Sequence, residues 1–157
     1  MTGLGARTPH HAPLLAWAVL QLRASAERSS SNTKTYHKLA QRALQGNVFS
    51  YLQATLNNET IQGDELLLRL ASSVVYSLVC AAAGCLDLEG VGCLPVLNSL
   101  AKTCLAQDPP ASLFWGEEDG ATGLLLPQAL EAFPYDVEPL LYLTTSLAMA
   151  NPESCLK

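Results

Sequence analysis

A run of 17 residues without a charge, Leu70 to Leu86 (LASSVVYSLVCAAAGCL), constrains this chain more than any other feature. As a helix it extends about 25 Å, the lower edge of what crosses the hydrocarbon core of a bilayer. Arg69 abuts it on one side and Asp87 on the other, while Ser72, Ser73, Ser77 and four alanines lower its transfer energy. The segment therefore reads as a central helix buried on most of its sides, not as a membrane span. Any fold must then supply neighbours for nearly its whole circumference.

The rest of the composition suits helices packed on helices. Hydrophobic residues make up 49% of the 157 and charged residues only 15%, against about 25% charged in an average soluble protein. Such a balance excludes a disordered tail, and the length is that of one core. The 9 Lys+Arg against 14 Asp+Glu leave a net charge of −5, which repels phosphate backbones and excludes a nucleic-acid module. The charge is unevenly placed. Residues 1–42 hold six cations against Glu27, a sum of +5, and the remaining residues hold three cations against 13 acids, a sum of −10. That polarity reads as solvated helix faces, the alternative being head-to-tail packing or an oriented partner. The N-terminal stretch MTGLGARTPHH has no signal-peptide pattern. A reducing compartment follows as the expectation, with Cys80, Cys85, Cys93, Cys104 and Cys155 acting as small hydrophobes and Asn58-Glu59-Thr60 left unglycosylated.

Apolar spacing is helical along the chain, and strand alternation is hard to find. Thr8 and Pro9 read as N-cap and first helical residue of a helix through Leu14–Leu22, apolar nearly all round and so expected to be largely buried. Ser25–Ser31 is a polar connector. A second helix starts near Asn32 or Thr33, with Lys34, Lys38 and Arg42 together on the face opposite its apolar stripe. Gly46-Asn47 reads as a C′ glycine followed by an N-cap for Val48–Leu56. Asn57–Gly63 is a loop, Asp64 caps the third helix and Gly84 closes it. Gly90, Gly92 and Pro95 cluster at the start of the fourth, which Asp108-Pro109-Pro110 stops. Thr122 caps a fifth over Gly123–Phe133, and a sixth runs from about Asp136 to Ala150. The six segments pair as three hairpins, roughly 9–57, 64–107 and 122–150, without residue-level self-similarity. The expected fold is all-α, an irregular α-solenoid of HEAT- or armadillo-like hairpins, with a compact helical bundle as the alternative; the all-round hydrophobicity of the first and third helices favours the solenoid, where a helix lies between successive layers.

Chemistry is hard to place on this frame. Gly3-Leu4-Gly5 lacks the third glycine of a dinucleotide loop and a preceding strand, and there is no Walker A run or nucleophile elbow. His10 and His11 point about 100° apart on a helix and cannot share a metal in regular geometry. The cysteine spacing matches no common zinc site. Glu117-Glu118-Asp119 reads as a solvated loop, and the Lys34, Lys38, Arg42 stripe as a solvated face. No catalytic, cofactor-binding or metal-binding residue is assigned. Leu113-Phe114-Trp115 is different, because bulky apolar residues in a loop are costly to leave in water. They read as a plug between the second and third hairpins, or as a knob that docks a partner.

Three stretches carry a resemblance: GLGARTPHHAPLLAWAVL at 3–20, NVFSYLQ at 47–53 and SLFWGEEDGATGLLLPQALEAFPYDVEPLLYL at 112–143. They resemble the large scaffold nucleoporins of the inner ring, the one-eight-eight-kilodalton class; between about Glu59 and Ala106 the pattern is generic. The resemblance implies a much longer α-solenoid without enzymatic activity or cofactor, located at the nuclear envelope in the nuclear pore complex. It implies other scaffold and linker nucleoporins as partners, no direct nucleic acid, no transmembrane segment, and a role in nucleocytoplasmic transport of protein and RNA. No site residue carries over.

The first functional reading is therefore a scaffold piece acting by surface contact, an internal segment of a longer solenoid. The alternative is a free-standing helical-repeat adaptor that binds a peptide segment of a partner; an enzyme using Cys or His ranks last. A segment exposes apolar surface on its first and last hairpins, whereas a complete adaptor has polar capping faces there. Leu14–Leu22 and Leu140–Leu147, both apolar, favour the segment.

Overall fold

The computed structural model of the chain describes residues 10–27, 32–88, 90–108, 110–114 and 121–150. Among these the elements are α1 His11–Glu27, α2 Thr33–Gln45, α3 Val48–Leu56, α4 Glu59–Gln62, α5 Glu65–Cys85, α6 Leu94–Leu105, α7 Pro110–Leu113, α8 Ala121–Ala132 and α9 Glu138–Ala150, with no strand among the described residues. The fold is all-α.

Short polar side chains set several of the starts. Asp64 Oδ1 accepts the Leu67 N–H at 3.0 Å, Asn58 Oδ1 accepts that of Thr60 at 2.9 Å, and Asp136 Oδ1 accepts that of Glu138 at 2.9 Å. Each satisfies a donor that a helix leaves unpaired at its first turn. Pro95 sits in the first turn of α6, where its missing N–H costs nothing.

Some boundaries depart from expectation. The predicted loop 57–63 contains the single turn α4, and Pro110 opens the single turn α7 after the proline stop. Gly84 lies within the last turn of α5, which ends at Cys85, and Thr122 lies inside α8, which starts at Ala121. The predicted start at Thr8-Pro9 and most of the serine connector fall outside the described residues.

The Gly46-Asn47 corner works differently from the predicted C′ glycine. Gly46 has an ordinary φ of −78°, and it is Asn47 that turns left-handed at φ 55°. What requires a glycine at 46 is close approach: a Cβ there would collide with the imidazole ring of His11. Asn tolerates the left-handed conformation better than most residues, so it carries the turn. Its side chain makes no capping hydrogen bond to α3.

Packing runs in two lines. Helix α1 lies on α2, α5 on α6, and α8 on α9. Between these pairs α1 contacts α5 and α5 contacts α8, while α3 contacts α6 and α6 contacts α9. The core threads all of them, from Leu15, Ala18 and Val19 on α1 through Phe49 and Leu56, Val75 to Cys80, and Leu97 to Leu105, to Leu143 and Leu147 on α9. A polar clamp joins α3 to α6, where Gln53 Nε2 donates to Ser99 Oγ at 3.0 Å and to Thr103 Oγ1 at 3.3 Å.

Two burial expectations are overturned. Helix α1 buries one face only: Leu15, Ala18, Val19 and Leu22 point inward, while Trp17 and Leu20 are exposed. Helix α5 is not buried on most sides. Its apolar window is 33% buried, with Val75, Tyr76, Val79 and Cys80 in the core, but Leu66, Leu70 and Val74 lie 67%, 57% and 70% exposed. The neighbour packed near its first turns is α4, one turn long with no buried residue, which is too short to cover a further face of a 21-residue helix.

Candidate interaction surfaces

Reactive side chains do not converge among the described residues. His10 and His37 are exposed, and His11 lies against the Gly46 corner. No three His, Cys, Asp or Glu side chains stand close enough to share a metal ion among the described residues. Cys80 and Cys104 are buried, Cys85 and Cys93 partly so, and none of the four is in a disulfide. Burial pushes the Cys104 thiol up to about 12, with the neighbouring Cys80 adding to the shift. Burial also raises Cys93, partly offset by a backbone hydrogen bond. Both shifts suppress the thiolate, the opposite of what a nucleophile needs.

A cleft of about 630 Å³ opens between α1, α2 and α5, lined by Leu22, Arg23, Thr33, His37, Gly84 and Cys85 among others. Its described lining includes one cation, one imidazole and one thiol, with no carboxylate among the described residues. That set falls short of nucleophile, base and orienting group. What the molecule offers instead is surface.

The predicted plug divides at its middle. Phe114 is fully buried in the core, and Leu113 beside it is half exposed. Trp115 lies outside the described residues. The short α7 leads into this pair; it packs on α5 and α6 through its own buried Pro110 and Ala111.

Exposed apolar side chains form three further patches. On α5 the stripe Leu66, Leu70 and Val74 recurs every four residues, with Leu67 beside it. The Glu65–Arg69 ion pair at 2.9 Å lies beside that stripe. On α1, Trp17 and Leu20 face away from the core, and the Trp17 ring meets Tyr36 of α2 edge to face with centroids 5.5 Å apart. On the last pair, Leu130 of α8 and Leu141, Tyr142 and Met149 of α9 are exposed. Lys102 of α6 sits 5.4 Å from the centre of the Tyr142 ring. The α5 patch was invisible to sequence reasoning, because an all-round apolar helix gives no sign of which side lacks a neighbour. The terminal patches were foreseen from apolar density alone.

Charge is segregated across the same surfaces. Lys34, Lys38 and Arg42 are exposed on the face of α2 opposite Ala40, Ala43 and Leu44. Among the described side chains of α1 to α3, Arg23 joins them and no carboxylate does. The described side chains of α8, α9 and their connection carry Glu131, Asp136 and Glu138 and no cation.

Comparison with known proteins adds a lineage to this geometry. No protein-family profile matches the sequence. Over 141 residues, 88% of the chain, it is 36% identical to nucleoporin NUP188 of Mus musculus, 34% identical to that of Homo sapiens and 30% identical to that of Xenopus tropicalis. The matched stretch spans 8% of the length of each of those proteins. By sequence, the chain is a relative of the NUP188 nucleoporins, similar to one segment of them.

Proposed function

We propose that this chain is a structural constituent of the nuclear pore complex, one stretch of a helical scaffold at the nuclear envelope that acts through protein–protein contacts. The observation that carries the reading is the similarity to NUP188 along 88% of the chain. The exposed apolar patches on α1, α5 and the α8–α9 pair support it, since a scaffold works by surfaces. That each helix pair touches the next supports a stacked α-solenoid as the finer reading of the fold. In the finer reading the scaffold is that of the inner ring, its partners are other scaffold and linker nucleoporins, and its role is support of nucleocytoplasmic transport of protein and RNA. Epitope tagging of the protein at its own locus tests this. Punctate staining of the nuclear rim and co-purification of other nucleoporins is the expected result. A diffuse distribution without nucleoporins in the purified fraction overturns it.

A further inference from the structure

We draw no further inference here: the strongest candidate, the exposed apolar stripe of Leu66, Leu70 and Val74 on the N-terminal half of α5, carries nothing, because nothing among the described residues shows what covers it.

Discussion

Replacing Ser72 with alanine is expected to stabilise the protein. Ser72 lies on α5 and is fully buried, and its hydroxyl has no hydrogen-bonding partner among the described residues. Its neighbours behave differently: Ser73 Oγ donates to the Arg69 carbonyl at 2.8 Å and Ser77 Oγ to the Ser73 carbonyl at 2.9 Å. A buried polar group without a partner costs about 1–3 kcal/mol. Alanine removes that cost and adds about 0.5 kcal/mol of helix propensity. Against these gains stands the small space left by one oxygen atom, so a net gain of about 1–2 kcal/mol is the expected outcome. For a chain of this size that raises Tm by about 2–8 °C. Thermal melting followed by circular dichroism at helical wavelengths measures it, with Ser73→Ala and Ser77→Ala as controls whose hydroxyls are already satisfied. Both controls are expected within about 0.5 kcal/mol of the parent. A lower Tm for Ser72→Ala refutes the reasoning, since it would mean that the hydroxyl holds a partner worth more than its burial costs.

Three other predictions follow from the packing. Gly46→Ala is expected to destabilise the chain by about 1–3 kcal/mol through overpacking against His11; adding His11→Ala to that variant recovers part of the loss, which a double-mutant cycle in urea measures. Phe114→Ala, which empties a fully buried position beside α5, is expected to cost about 3–5 kcal/mol, whereas Leu113→Ala, half exposed, costs less than half as much; equal losses from the two would contradict the assigned burial. Cys104, pushed from 9.0 to about 12 by burial and by Cys80, is expected to react with iodoacetamide about a thousandfold more slowly in the native state than in urea, from thiolate fraction alone. The same shift fixes a sign in pH. Below the unfolded value near 9 the stability is fully present, and above it the unfolded chain binds fewer protons than the folded one. Stability therefore falls with rising pH between about 9 and 12, and Cys104→Val shallows that decline in pH-dependent denaturation.

Much of the helical order was legible because its punctuation is local. Asp64, Asn47 and the prolines at 95 and 110 act within a turn of where they stand in the sequence, and α3 falls on the predicted Val48–Leu56. What escaped depends on distant neighbours. Gly46 looked like a residue chosen for a left-handed turn, yet its constraint comes from His11, a residue 35 positions earlier in the chain. Helix α5 looked like the most enclosed element, and its Leu66–Val74 stripe faces solvent because the adjoining α4 is a single turn. Hydropathy records how much apolar surface a helix carries, not which neighbour covers it. The surface patches were only half readable for the same reason: Leu113 and Phe114 are adjacent in sequence, and the path of α7 puts one in water and the other in the core.

The two-line packing also bears on how the protein comes apart. Helices α1 to α3 meet α8 and α9 chiefly through α5 and α6, so the middle pair is held from both sides and each outer pair from one. Loss of the last pair removes neighbours from α5 and α6 while leaving the first pair's own contacts intact. Unfolding is therefore expected to proceed from the ends inward, with the slowest amide exchange at the buried Val79, Leu100 and Leu105 and the fastest on the outer turns of α9 and α1. On that expectation, probes placed on the outer pairs would melt slightly ahead of probes on α5 and α6, and the midpoint would depend on contacts between pairs as well as within each helix.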